Sequence, residues 1–370
     1  MVVLTKGELE QITLPAVQRA APPLAFVPEV DLSAAAASVA ARSAAARAVA
    51  KACEDHGFFK VTGHGVPAPL LARLEAAAAA FFALPQRDKD KAAAAAVGGS
   101  PPFGYASKRI GGNGDLGWVE YLLLGVTPAG AAAAPSALSA APVSSASEGA
   151  APSCCFRDVL DEYIAAVRRM TCTVLELMAQ GLGLDDDTAV FSRLVLDRDS
   201  DSMLRVNHYP PRPETAAAAG EPAEVRRPRL TGFGEHTDPQ IISVLRSNDT
   251  AGLEISLRDG SWVSVPSDTQ SFFVNVGDAL QVLTNGRFRS VRHRVMVSSG
   301  RPRVSVIFFG GPPPRERLAP LPGLVDREGG RRRYREFTWR EYKTSAYRTK
   351  LADNRLCYFE TTTAAAAATS

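Results

Sequence analysis

His236, Asp238 and His293 are the side chains in this sequence best suited to chemistry. They stand in FGEHTDPQIISVL and SVRHRVMV, so a His-x-Asp pair is followed by a second histidine 55 positions after the aspartate. Two imidazoles and one carboxylate can occupy one face of an octahedral Fe(II), leaving three neighbouring positions open to co-reactants. A His-x-Asp pair by itself has little specificity, and a surface histidine beside a turn is its ordinary explanation. The segment RPRVSVIFFGG overturns that explanation, because its Arg303 and Ser305 trail the second histidine by ten and twelve residues.

Strand alternation gives the downstream pair its meaning. Residues 291–297 (VRHRVMV) and 303–309 (RVSVIFF) are rich in β-branched and aromatic residues, and SSGRP between them signals a turn. Val291, His293, Val295 and Val297 therefore share one face, and Arg303, Ser305, Ile307 and Phe309 share another. His236 and Asp238, two apart, point together. If the His293 face lines a barrel, Arg303 faces inward among apolar neighbours, where an unpaired guanidinium costs several kcal/mol and calls for an anion. A structural Asp or Glu could supply it. A small dicarboxylate bound at both metal and arginine accounts for more of the pattern.

The elements that must position these groups are read from periodicity. FVPEVDLS (26–33) reads as a first strand, about 35–55 as an alanine-rich helix, HGFFKVTGHGV (56–66) as a strand and 67–84 as a second helix. Low-complexity sequence appears at 91–96 and, more strongly, at 128–153, which reads as a disordered insertion. Residues 154–200 hold a scaffold helix, amphipathic over 156–182 and closed by Gly181. From 201 to 315 the pattern changes to eight or so short strands, and LEISLRDGSWVSV, centred on Asp259-Gly260, predicts a hairpin. A C-terminal segment (316–358) and a disordered tail (359–370) complete the chain. Helices followed by short strands predict a mainly β fold with α: a double-sheet jelly roll against which a helical N-terminal part (25–127) packs as one cooperative unit.

A chain of 370 residues with 46% hydrophobic content can bury a sizeable core. Its net charge of +3, from 42 Lys and Arg against 39 Asp and Glu, is too balanced for a nucleic-acid binder. Five cysteines without a C-x-x-C pair point to a reducing compartment. No signal peptide and no membrane span are evident, so a cytoplasmic protein, with nuclear presence also compatible, is expected. Gly112 to Gly117 satisfy G-x-G-x-x-G, but GYASKRIG before them is no Rossmann strand, so a flexible loop is expected. His56 and His64, flanked by glycines, read as local hydrogen-bonding residues, and His208 should point away from the face of Tyr209. The cysteines read as plain thiols.

The run NHYPPRP (207–213), then GFGEHTDPQ, VNVGDALQVLTNGRFRSVRHRV and RVSV, resembles the plant 2-oxoglutarate- and Fe(II)-dependent dioxygenases over roughly residues 25–350. The resemblance implies a double-stranded β-helix, iron on His236, Asp238 and His293, and the far carboxylate of 2-oxoglutarate on Arg303 and Ser305. It also implies that Tyr209 helps to hold the cosubstrate with Asn207 assisting near the metal, that no catalytic residue is needed beyond the metal centre, and that ascorbate is supportive.

FGYASKRIGGNGDLGWVEYLLL (103–124), with FGEHTDPQIISVLRSNDTAGLEISLRDG, is similar to the gibberellin 2-oxidases that act on nineteen-carbon gibberellins. This implies 2β-hydroxylation of a growth hormone, which inactivates it, with dioxygen consumed and succinate and carbon dioxide released. A compact, mostly apolar acid needs an apolar wall and a cation. Tyr105, Lys108, Arg109 and Trp118 could supply these from a loop over the barrel mouth, although the two cations could equally be solvated charges. The alternatives are a gibberellin 3-oxidase or flavonoid dioxygenase, a zinc hydrolase with no use for Arg303 and Ser305, and a non-catalytic ligand-binding jelly roll. The last would be expected to show damaged metal or cosubstrate motifs, and all five positions are intact.

Overall fold

The computed structural model describes residues 21–94, 103–110, 114–127, 130–131, 155–211, 230–297, 300–327 and 329–361. Asp31 ends β1 (Glu29–Asp31) and caps α1 (Leu32–Ala35), its carboxylate accepting from the Ser33 and Ala34 amides at 2.8 and 3.2 Å. Ser38 caps α2 (Val39–Asp55) in the same way. Next come β2 (Phe58–Thr62), α3 (Ala68–Phe82) and α4 (Gln86–Ala94), then the antiparallel pair β3 (Gly104–Ile110) and β4 (Asp115–Thr127), with β5 (Gly130–Ala131) beside β4.

In α5 (Phe156–Gly181), buried Phe156, Val159, Leu160, Tyr163, Ile164 and Val167 recur at three- and four-residue spacing, the apolar stripe of a helix lying on a core. After α6 (Ser192–Leu196) come β6 (Met203–Tyr209), β7 (Leu230–His236), β8 (Ile242–Ser247), β9 (Leu253–Ser256), β10 (Trp262–Ser264) and β11 (Phe272–Val276). The chain continues through α7 (Asp278–Leu283), β12 (His293–Val297), β13 (Arg303–Gly310), β14 (Arg317–Leu318), α8 (Pro322–Arg327), β15 (Phe337–Thr338) and α9 (Trp339–Arg348).

A nine-stranded sheet runs β1-β2-β11-β8-β13-β6-β4-β3, with β5 off β4, and faces a four-stranded sheet ordered β10-β9-β12-β7. β6 to β13 are thus the eight short strands expected of the jelly roll. Alternation sorts the large sheet. Leu122, Leu204, Val206, Val244, Val274 and Val306 turn outward into one core with Phe81, Tyr163 and Val174 of the helices. Their neighbours turn inward, Leu245, Phe273 and Ile307 packing with Leu253, Ile255 and Val263 of the small sheet, so the large sheet carries the helices on one face and the barrel interior on the other.

Several local expectations differ from what the chain does. Within 103–124, β3 and β4 pair antiparallel and continue the sheet from β6, rather than forming a loop over the mouth. Of the G-x-G-x-x-G run, expected as a flexible loop, Asp115, Leu116 and Gly117 open β4 instead, whereas 112–113 lie outside the described residues. Gly181 is the last residue of α5, as expected. It is small because a Cβ there would lie 2.2 Å from the Ala46 carbonyl, and the left-handed turn (φ +72°) is at Gly183. The C-terminus stays ordered past 358: Phe359 is buried, its ring 4.3 Å from Phe337, and Thr361 donates to the Arg333 carbonyl. Of the low-complexity stretches, Lys91–Ala94 complete α4 and Gly130–Ala131 form β5. The remainder of 128–153, and the tail from 362, lie outside the described residues.

Candidate active site

Strand register brings the two histidines together. β12 pairs antiparallel with β7, His293 is the partner of His236, and their ring centroids lie 4.1 Å apart. Asp238 comes where the chain leaves β7. A tight backbone approach seats it: the Asp278 amide donates to its carbonyl at 2.8 Å, and a Cβ on Gly277 would meet the Gln240 carbonyl at 2.0 Å. Nε2 of His236 is 3.6 Å from Oδ1 of Asp238, and Nε2 of His293 is 3.6 Å from Oδ2.

Each imidazole is oriented by a carbonyl that can only accept. Nδ1–H of His236 donates to Gly234 at 2.8 Å and Nδ1–H of His293 to Val291 at 3.1 Å, so both rings offer the Nε2 lone pair. Burial, helped by neighbouring His293, holds His236 well below its ordinary value and keeps it neutral. Burial pushes the Asp238 carboxyl up. The histidines and hydrogen bonds from Ser243 (2.6 Å) and Asn275 (3.4 Å) outweigh that and keep it below its ordinary value. One buried carboxylate and two imidazoles, with ligand atoms within 4.8 Å of one another, fit a divalent ion of the ferrous type.

Beside this cluster, Arg303 opens β13 opposite Tyr209, and Ser305 stands opposite Asn207. The Arg303 guanidinium lies 5.5 Å from the Tyr209 ring centre and the residue is only 3% exposed. Its Nε and Nη1, and Oγ of Ser305, have no hydrogen-bond partner. No Asp or Glu among the described residues compensates it; burial lowers its pKa and only Tyr209 opposes that. Among the described residues, therefore, no structural acid is its partner. An orphaned fork beside a free hydroxyl fits a ligand carboxylate. Gly232 leaves room for Tyr209, since a Cβ there would stand 2.6 Å from Cδ1 of that ring.

These groups line one cavity of about 1130 Å³, its mouth included. Its apolar wall includes Ile110, Leu123, Met203, Phe233, Ile307 and Phe309, and its polar groups include His236, Asp238, His293, Arg303, Ser305 and Tyr209 together with Arg205, Tyr121, Tyr347 and Arg355. Asn207 is inside, its Oδ1 accepting from Nε of Arg205 at 2.8 Å.

The four side chains expected to touch substrate do not line it. Tyr105 pairs with Leu122, on the outward face of the hairpin. There its hydroxyl donates to Glu120 at 2.6 Å, and Glu120 also receives Lys89 (2.7 Å) and His208 (2.7 Å). Lys108 (φ +62°) and Arg109 sit at a bulge and are exposed to solvent. Trp118 packs against the cluster containing Tyr209 and donates to the Pro210 carbonyl at 2.9 Å. His208 does face away from Tyr209, stacking on Phe82. His64 binds locally, accepting from the Val66 amide and donating to the Gln270 carbonyl. Arg205 was findable by extending the two-residue period back from Tyr209 and Asn207 along β6, whereas Tyr121 is placed by the pairing of β4 with β6. Tyr347 and Arg355, brought in by the C-terminal segment, carry no signal in the sequence.

A family model described as the 2OG-Fe(II) oxygenase superfamily matches residues 200–312, and one described as non-haem dioxygenase in morphine synthesis N-terminal matches 27–141. The rice dioxygenase for auxin oxidation superposes with a TM-score of 0.70 at 28% identity, covering 91% of this chain and 100% of that one. JOX2, solved in complex with 2OG, Fe and JA, superposes with a TM-score of 0.70 at 24% identity, covering 98% of each chain, a likeness of fold. Fold and donor set thus define a 2-oxoglutarate/Fe(II) oxygenase. Gibberellin 2-beta-dioxygenase 1 of Pisum sativum is 48% identical over 363 residues, 97% of this chain and 98% of that protein. Gibberellin 2-beta-dioxygenase 2 of Arabidopsis thaliana is 50% identical over 312 residues, 84% of each. The chain belongs to the gibberellin 2-beta-dioxygenase family.

Proposed function

We propose that this protein inactivates gibberellins by hydroxylating them at carbon 2 on the β face. The observation that carries the reading is a buried His236–Asp238–His293 cluster beside an Arg303 guanidinium with no acid of its own among the described residues. In this reading those three residues hold Fe(II). Arg303 and Ser305 take the far carboxylate of 2-oxoglutarate, with Tyr209 packed against it and Asn207 beside the metal. When bound, the ferrous ion supplies the dioxygen chemistry that oxidises 2-oxoglutarate to succinate and carbon dioxide and hydroxylates the substrate. The protein's part is positioning and exclusion of water: Ser243 and Asn275 hold the Asp238 carboxylate, two carbonyls aim the imidazoles, and the apolar wall keeps the site dry. Ascorbate would serve to keep the iron ferrous.

Free thiols at Cys53, Cys155, Cys172 and Cys357 support a reducing cytoplasmic setting, with nuclear access part of the same proposal. No described helix is long and apolar enough to cross a membrane. The test is incubation of purified protein with labelled nineteen-carbon gibberellins, Fe(II) and 2-oxoglutarate, with the products read by mass spectrometry. A 2-hydroxylated product that disappears when 2-oxoglutarate is omitted is expected. A 3-hydroxylated product, or turnover of flavonoids alone, would reject the assignment.

A further inference from the structure

We propose that Arg205 binds the carboxylate of the organic substrate, so that the cavity carries two acid anchors on neighbouring strands of one sheet face. This rests on the gibberellin assignment and names the residue that would recognise the acid. Arg205 lies on β6 four residues before Tyr209 on the same inward face, which puts it about 13 Å along the strand from the Arg303 pairing position. Its guanidinium sits 3.8 Å from the ring centre of Tyr121 and 4.8 Å from that of Phe233. Nε donates to Asn207, while Nη2 is buried without a partner.

The described residues do not account for the charge there. Asp238, the acid in its surroundings, is already committed to Ser243 and Asn275 beside the metal ligands. One 2-oxoglutarate, held by iron and Arg303, has no carboxylate left for a second guanidinium. The rest of the wall is largely apolar. An apolar ligand with a single carboxylate meets both requirements, its acid on Arg205 and its hydrocarbon frame along the wall. Aromatic faces on the guanidinium fix its plane before the acid arrives. The competing role, in which Arg205 only props Asn207, predicts no preference for an acid over its ester.

The experiment is anaerobic equilibrium dialysis of full-length protein loaded with Fe(II) and 2-oxoglutarate, using a radiolabelled nineteen-carbon gibberellin and its methyl ester. Wild type should bind the acid about tenfold to a hundredfold more tightly than the ester, as expected for a charge-assisted hydrogen bond. Arg205→Met and Arg205→Gln should bring the acid down to within about threefold of the ester, with 2-oxoglutarate binding retained. The proposal is overturned if wild type does not distinguish acid from ester, a comparison that needs no variant. It is also overturned if both variants keep the preference, or if Arg355→Met removes it and Arg205→Gln does not. Wild type that binds neither compound would remove the gibberellin assignment itself.

Discussion

His293 stands directly opposite His236 in the β12–β7 ladder, while Asp238 reaches the same point from a turn outside any strand. Two ligands are fixed by backbone pairing and the third depends on its hydrogen bonds. Ser243→Ala should therefore weaken Fe(II) binding about tenfold or more, within the range for partners of metal ligands, while leaving the fold intact. Asn275→Ala, removing a 3.4 Å contact instead of a 2.6 Å one, should cost less. Anaerobic chelator competition measures both, and wild-type affinity in Ser243→Ala would mean that the carboxylate needs no such support.

Arg303→Gln removes the only full charge assigned to the far carboxylate of 2-oxoglutarate. Loss of a charged, bidentate contact is expected to raise the 2-oxoglutarate concentration for half-maximal succinate formation about a hundredfold, with Fe(II) binding unchanged. An unchanged concentration dependence would show that the cosubstrate is held elsewhere.

Gly232→Ala tests the seat of Tyr209. The added methyl would fall 2.6 Å from the ring, which must then leave its present place beside Arg303. The expected result is weaker 2-oxoglutarate binding, together with about 1–3 kcal/mol of lost stability from overpacking. Denaturant melts and cosubstrate titration of the same preparation measure the two effects.

Glu120 joins the hairpin to the helices. Burial raises its carboxyl, but His208, Lys89 and Tyr105 overcome this and hold it at about 2 instead of its ordinary 4.5. A carboxylate with a depressed folded-state value stabilises fully above 4.5 and loses that contribution as pH falls toward 2. The stability gap between wild type and Glu120→Gln should therefore narrow as pH drops from about 5.5 to about 3. A constant gap in urea melts across that range means the ion network is not the source.

The residues proposed to hold metal and cosubstrate were legible in the sequence because strand alternation and motif spacing act locally: two-residue steps put Arg303 with Ser305 and Asn207 with Tyr209. The substrate wall was not, because it depends on which face a neighbouring strand turns inward. On β4, Tyr121 and Leu123 face the cavity, while Glu120 and Leu122 face the helices with Tyr105. A slip of one residue reverses that choice, and only the pairing with β6 fixes it. Tyr347 and Arg355 reach the cavity from over a hundred residues beyond Arg205, a packing that no local pattern encodes.

The most direct test is a crystal structure of anaerobically prepared protein with Fe(II) and 2-oxoglutarate, the iron located by anomalous scattering. The expected result is a single iron coordinated by Nε2 of His236, Nε2 of His293 and the Asp238 carboxylate, with the far carboxylate of 2-oxoglutarate on Arg303 and Ser305. Iron bound by other side chains, or 2-oxoglutarate anchored on Arg205 with Arg303 left bare, would contradict it.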